Sequence, residues 1–193
     1  MPDSIKNILS SFKTELSRTS RFDVYIPAPF ILLTMLDMIT NTKGLTLRCE
    51  AAEMPGRALA TIDRKIGTNP VFKVPYQSMY NEMNMTFIVD GDMSEKLFFD
   101  LWMDSINPTT NYNFRYPKDY VTDIAITQYD NQNEVSYRSI LLNAYPLSVN
   151  QMDLDWTTDG YHKLNVVFAY TNWTYGTIPE IGKNALTQIL SSI

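Results

Sequence analysis

The sequence contains little of the chemistry that most enzymes and metal sites need. Its 193 residues include a single histidine, His162, and a single cysteine, Cys49. One cysteine excludes an intrachain disulfide, and these two residues cannot by themselves complete a zinc site made of His and Cys ligands. The glycine patterns of nucleotide-binding loops and the G-x-S-x-G pattern of hydrolases are also missing. We therefore expect no catalytic residue, no cofactor and no metal site.

Positive charge and long apolar runs are scarce as well. The chain has 16 Lys and Arg against 21 Asp and Glu, a net charge of −5. Proteins that bind nucleic acid specifically carry a basic face, and the densest basic cluster here is only Arg57, Arg64 and Lys65. The longest apolar stretch, residues 27–38, is too short to cross a bilayer and contains Asp37. Residues 1–20 do not have the pattern of a signal peptide. We expect cytoplasmic synthesis and no membrane partner.

Aromatic residues are plentiful, and most of the chain shows the alternation of β-strands. The 12 Tyr, 9 Phe and 3 Trp favour pleated, half-buried surfaces. Alternating or extended patterns predict strands over residues 21–26, 45–52, 59–66, 79–89, 121–129, 135–143, 145–156 and 162–174. Many short strands of this kind indicate a β-sandwich or barrel, in which we expect Trp102 and Trp156 to anchor the core.

One helix is predicted within this β domain. Leu97, Phe98, Leu101, Trp102 and Ile106 form an apolar face that ends before Asn107-Pro108. Asp92 as N-cap and Glu95 three residues into the helix form a predicted capping box. The domain itself covers residues 21–175. Residues 1–20 are predicted to form a helical arm, and residues 176–193 form a C-terminal tail.

The connection over residues 27–44 is unusually apolar for a link between two strands. It allows two interpretations, a helix buried in its own domain or an extended arm that binds a neighbouring subunit. We favour the arm and predict that it forms a stacking interface through six residues: Phe30, Ile31, Leu32, Leu33, Met35 and Leu36.

Two groups of acidic residues are candidates for a calcium site and for a catalytic acid/base pair. Counted from Asp90, the calcium-loop positions that require Gly and Glu hold Glu95 and Leu101, so a helix cap is the better interpretation. Asp153 and Asp155 alternate along a predicted strand and are candidates for a general acid/base pair. Solvated strand residues explain them more simply.

The order of several motifs resembles that of one family. A first strand at residues 21–26 precedes residues 47–56, a strand that ends in a Pro-containing turn. Residues 87–90 lead into the helix with its run Phe98-Phe99-Asp100-Leu101-Trp102. Residues 143–149 (NAYPLSV) and 154–157 (LDWT) precede the closing strand and are the most specific element. In this order the chain resembles the tail tube proteins of contractile, T4-type bacteriophages, including related baseplate tube-initiator proteins and type VI secretion tube proteins.

The resemblance implies a mainly β fold, a tail-tube-type β-sandwich or barrel with one inserted α-helix and N- and C-terminal extensions. It implies a non-enzymatic virion protein that forms homo-hexamers and stacked rings. The rings would contact tail sheath and baseplate proteins and let phage DNA pass without specific binding. The lumen would be lined by polar positions of residues 79–89 and 121–143.

Two alternatives stay open at this point. The chain could be a baseplate hub or tube-initiator subunit of the same fold. It could also be a carbohydrate-binding β-sandwich that uses Tyr, Trp156 and paired Asp residues.

Overall fold

Nine strands and three short or medium helices make up the described part of the chain. The computed structural model describes residues 16–33, 48–157 and 159–176. Most of the predicted N-terminal arm, all but the first residue of the C-terminal tail, and most of the apolar connection lie outside these ranges. The last residues of the arm, 16–20, form no helix. The elements in chain order are β1 (Phe22–Tyr25), α1 (Phe30–Leu33), β2 (Cys49–Ala52), β3 (Ala58–Arg64), β4 (Phe72–Met79), β5 (Met83–Ile88), α2 (Ser94–Ile106), α3 (Pro117–Tyr120), β6 (Thr122–Tyr129), β7 (Val135–Val149), β8 (Lys163–Ala169) and β9 (Asn172–Tyr175).

Seven of these strands form one antiparallel sheet: six follow the order β1-β6-β7-β8-β5-β2, and the seventh, β9, pairs with β7. Strands β8 and β9 follow each other along one edge of β7, since Tyr145 pairs with Ala169 and Leu142 pairs with Asn172. The predicted strand over residues 162–174 is therefore present, interrupted at residues 170–171. The end strands β1 and β2 contact each other without forming a ladder, so the sheet curls almost into a barrel. The mainly β fold with an inserted helix is confirmed.

Strand β7 joins the two parts of this curled sheet. Its first half pairs with β6 and its second half pairs with β8. Between them Asn143 adopts a left-handed conformation with φ 54°, which asparagine tolerates better than most residues. The Asn143 backbone N–H donates to Asp123 Oδ1 at 3.0 Å, and the register with β6 shifts nearby. A bulge of this kind bends a strand, so one 15-residue strand serves both halves of the sheet.

The core forms between the sheet and the longest helix, α2. Along β5 and β8 every second side chain is buried, including Phe87 and Phe168, as the period of a strand requires. On α2 the buried residues Phe99 and Trp102 are three positions apart and so share a face. The Phe99 ring lies 5.1 Å from Phe87 and 6.0 Å from Phe168, centroid to centroid. Trp102 is completely buried, as predicted, and its indole N–H donates to the Tyr120 carbonyl at 2.8 Å.

The start of α2 differs from the predicted capping box. The N-cap residue is Met93, in a left-handed conformation and without a side-chain cap, and Asp92 accepts only from the Ser94 backbone N–H. Glu95 is buried and binds Arg48 at the start of β2 instead of capping the helix. Arg48 also bridges to Asp90 at 2.7 Å, and the hydrogen bond to Glu95 raises the pKa of Arg48 above its ordinary value. This ion cluster ties the edge strand β2 to the helix.

Strands β4 and β5 differ from the predicted strands. The predicted strand over residues 79–89 is the end of β4 and all of β5, separated by residues 80–82. Strand β4 itself was missed because Pro75 lies in its middle, and proline is tolerated in sheets mainly on edge strands or next to bulges. Here Pro75 pairs with Thr61 beside a register shift in a two-stranded sheet, so both conditions hold.

The predicted extended stretch over residues 145–156 is strand only as far as Val149. Residues 150–157 form a loop, and Trp156 at its tip is completely exposed. The prediction that Trp156 anchors the core is wrong. The alternation of Leu154 and Trp156 with polar residues has the period of a strand, but no neighbouring strand pairs with it among the described residues.

The two tryptophans provide a matched test of the packing. Changing Trp102 to Ala should lower the free energy of unfolding by about 3–5 kcal/mol, since it removes a large core side chain and leaves a cavity. Changing Trp156 to Ala should alter it by no more than about 0.5 kcal/mol, as for an ordinary surface substitution. Urea denaturation followed by circular dichroism measures both. Equal losses in the two variants would contradict the core described here.

The Arg48 cluster gives a second test. Changing Arg48 to Met should cost about 3 kcal/mol of unfolding free energy, because it leaves the buried Glu95 carboxylate without its cation. The control is Lys163 to Met, which removes an exposed ion pair with Glu50 at 2.7 Å and should cost less than about 1 kcal/mol. The same denaturation measurement applies, and a loss no larger in the Arg48 variant would show that the cluster does not fasten β2 to α2.

Candidate assembly surfaces

The surfaces that could bind a partner are strand edges, one free hairpin and one loop. Strands β1, β2 and β9 each pair on one side only within the described residues. An edge with free N–H and C=O groups is a template for pairing with another chain. The three strands are only four residues long, so each offers a short, defined edge.

Strands β3 and β4 form a two-stranded hairpin apart from the main sheet. Residues 61–73 are all exposed. The base is held by the Trp173 indole, which donates to the Gly56 carbonyl at 3.2 Å, and by Arg57, which donates to Ser78 Oγ at 2.9 Å. An isolated two-stranded hairpin is marginally stable in water. A hairpin this exposed is therefore a candidate surface for binding a partner.

The loop between β7 and β8 carries three of the most exposed apolar side chains of the described residues, Leu154, Trp156 and Tyr161. Together with Asp153, Asp155 and His162 they surround an open depression of about 580 Å³. The Asp155 carboxylate accepts from the Thr157 backbone N–H at 3.0 Å and from its hydroxyl at 2.7 Å. These bonds shape the loop, which gives Asp155 a structural role and leaves the general acid/base interpretation without support.

The six predicted stacking residues fall into three groups. Phe30 is exposed, whereas Leu32 is completely buried in the core of its own subunit and Ile31 packs partly against that core. Leu33 is the last residue of α1, and Met35 and Leu36 lie outside the described residues. At Leu32 the structure matches the alternative of a helix packed on its own domain. The stacking role of the others stays a prediction.

Sequence reasoning did not find the hairpin or the loop as surfaces. The hairpin is marked in the sequence by the basic cluster of Arg57, Arg64 and Lys65. The loop is marked by the turn residues around Gly160. Both segments alternate like buried strands, and that pattern does not show whether a neighbouring strand exists.

Among the described residues, the side chains that could bind a metal ion or act as a nucleophile form no reactive centre. Among residues 16–33, 48–157 and 159–176, no group of three or more His, Cys, Asp and Glu side chains could hold a metal ion. Burial raises the pKa of Cys49 to about 12, so its thiol stays protonated and is a poor nucleophile near neutral pH. The His162 carbonyl accepts from the Val89 backbone N–H at 3.0 Å, which places this residue at the start of β8. In the same part of the chain, no helix has the length and apolar character to cross a bilayer.

Solved structures share this fold. A chain of the sheath-tube complex of the extracellular contractile injection system PVC matches with a TM-score of 0.58 and 16% identity, covering 90% of this chain and 97% of that one. A chain of the anti-feeding prophage baseplate matches with a TM-score of 0.60 and 14% identity, over 86% and 98%. A chain of the anti-feeding prophage cap matches with 0.57 and 18%, over 85% and 93%. At these identities the likeness concerns the fold alone.

The sequence comparison identifies the family. No curated protein matches the chain at a significant level. The profile of the family described as phage tail tube protein matches residues 17–176, which is most of the chain and includes the three edge strands, the hairpin and the loop. The chain therefore belongs to the phage tail tube protein family.

Proposed function

We propose that this chain is the structural subunit of a contractile phage tail tube, in which hexameric rings stack around a channel for DNA ejection. The observation that carries the proposal is the curled sheet whose end strands β1 and β2 are each paired on one side only among the residues that the structure describes. Neighbouring copies in a ring would supply the missing partners, and a closed ring has no free edge. The family match and the shared fold support the same conclusion.

The face of the sheet that points away from the core suits a channel for DNA. On β5 this face carries Asn84, Thr86 and the partly exposed Ile88, and Thr86 pairs with Asn165 on β8. At the start of β8, Lys163 is paired with Glu50 at 2.7 Å. Uncharged amides, a hydroxyl and a compensated cation attract phosphates weakly, so DNA would slide past this part of the face. The lumen positions predicted over residues 79–89 and 121–143 stay part of this proposal.

A tube-initiating baseplate subunit is the second candidate. The chain shares its fold with a chain of the anti-feeding prophage baseplate as well as with one of the sheath-tube complex, so the fold fits either position. An initiator would form one ring and then need a different protein to extend it. The carbohydrate-binding alternative, which uses Tyr, Trp156 and paired Asp residues, stays a prediction.

Assembly of the purified protein tests the proposal. We expect rings and long tubes in negative-stain electron microscopy. The rings should sediment alike at low and high salt, because their contacts include backbone hydrogen bonds. Single rings that never extend would identify the initiator. Monomers at every concentration would overturn both candidates.

The lumen assignment has its own test. Changing Thr86 to Lys should add one uncompensated cation per subunit to the channel, and a ring of subunits would then hold DNA by counterion release. Tubes of the variant should retain short DNA duplexes at low salt and release them as salt rises. The control is Gln132 to Lys, in the exposed turn between β6 and β7. Equal DNA retention by both variants would place Thr86 outside the lumen.

A further inference from the structure

A groove of about 310 Å³ lies where the base of the β3–β4 hairpin meets strand β9. Three of the side chains that line it are aromatic and one is a cation, and the full set is Arg57, Tyr80, Asn172, Trp173, Thr174 and Tyr175. The centroids of the Trp173 and Tyr175 rings are 6.5 Å apart, and Tyr175 is exposed. We call this site the β9 groove. It combines exposed apolar surface with one positive charge, so it suits an occupant with apolar side chains and a carboxylate.

The walls of the β9 groove are held by hydrogen bonds. On the hairpin side, the Arg57 guanidinium donates to Ser78 Oγ at 2.9 Å. On the β9 side, the Trp173 indole donates to the Gly56 carbonyl at 3.2 Å. The pairing of β9 with β7 continues to Gly176, whose backbone N–H donates to a carbonyl of β7 at 3.3 Å. A surface that is already rigid loses little conformational entropy when an occupant binds.

The charge of Arg57 is not neutralised by a carboxylate within the part of the chain that the structure describes. The ion pairs there involve Arg48, Lys96 and Lys163, and none includes Arg57. This exposed cation beside aromatic surface is therefore available to a carboxylate on the segment that covers the groove.

The chain itself continues from the rim of the groove. The C-terminal tail after Gly176, residues 177–193, has a single acidic residue, Glu180. Its large apolar residues recur mostly at spacings of three or four positions: Ile178, Ile181, Leu186, Ile189, Leu190 and Ile193. Glu180 follows Tyr175 by five positions, which lets it reach about 16 Å from the rim. A segment attached at the rim also has a high effective concentration there, so it competes well with any separate partner.

We propose that the β9 groove binds the chain's own C-terminal tail, with apolar tail residues against Tyr80, Trp173 and Tyr175. The Glu180 carboxylate pairs with Arg57. This contact does not depend on the proposed tube function. It removes the aromatic surface of the groove and the apolar residues of the tail from water together, so neither is left free to associate with other proteins.

Acrylamide quenching of tryptophan fluorescence in the full chain tests the contact. A Trp156→Phe background removes the exposed loop tryptophan, and Trp102 is completely buried, so quenching reports on Trp173. Changing the six large apolar residues of the tail to Ser should raise the quenching constant about twofold or more, because the Trp173 indole loses its cover. The matched control changes three polar tail residues to Ala and should leave quenching unchanged; these are Asn184, Gln188 and Ser192.

A charge exchange tests the same contact with fewer changes. Arg57→Glu and Glu180→Arg should each raise quenching. The double variant should return it towards the starting value, since the ion pair is restored with opposite polarity. Damage to the hairpin from Arg57→Glu would persist in the double variant, so recovery reports the contact itself. Circular dichroism confirms that every variant is folded. Unchanged quenching in the folded serine variant, or a double variant no better than the single ones, would overturn the proposal.

A mixing experiment identifies which copy supplies the tail. The serine variant is mixed with an equal amount of a chain that has an intact tail and Trp173→Phe. Quenching of the serine variant should stay high, because each intact tail remains with its own chain. A return to low quenching would show that the tail of another copy fills the groove, and would overturn the assignment to the chain's own tail. These readouts do not require rings or tubes, so the tube function is tested separately.

Discussion

The alternation of side chains along β5 and β8 is the constraint on which the rest of the structure depends. One face of these strands meets Phe99 and Trp102 of α2 and is removed from water. Successive residues point to opposite faces, so every residue that completes the core leaves a neighbour on the other side. Those neighbours, Asn84, Thr86 and Asn165, cannot join the same core. A sheet built in this way has one face that packs in the core and one face that is open to solvent or to a channel.

Curvature turns this two-sided sheet into a subunit that can be repeated. The bulge at Asn143 lets β7 pair with different strands in its two halves, and the sheet bends until β1 and β2 meet. Arg48 then fixes the start of β2 to the buried Glu95 of α2. A strand edge that is held rigidly loses little entropy when another chain pairs with it, and preorganisation of this kind strengthens binding. The ion cluster would therefore favour the pairing of β2 with a neighbouring copy that we propose.

The core strands and the core helix follow from the sequence more directly than the surfaces do. The alternation in β5 and β8 and the helical spacing of Phe98 and Trp102 have local causes, so they predict these elements, although the predicted strand over residues 79–89 begins too early for β5. The capping box failed because Glu95 is bound by Arg48, which is 47 positions away in the chain. Strand β4 was hidden by Pro75, and Trp156 was assigned to the core because an exposed loop can alternate like a strand. The partner that binds Glu95 is distant in sequence, and no neighbouring strand pairs with the loop of Trp156 among the described residues.

The misplaced tryptophan explains why the assembly surfaces could not be predicted from patterns. A side chain such as Trp156 is costly to leave in water, so its complete exposure in a subunit of the tail tube family calls for burial elsewhere. Sequence periodicity measures whether apolar residues share a face, and it does so equally for a face buried within the chain and for one buried between chains. Only the fold separates the two cases, since it shows which apolar faces the subunit has already covered. The hairpin of β3 and β4 and the loop between β7 and β8 are the surfaces that the fold of the subunit leaves uncovered.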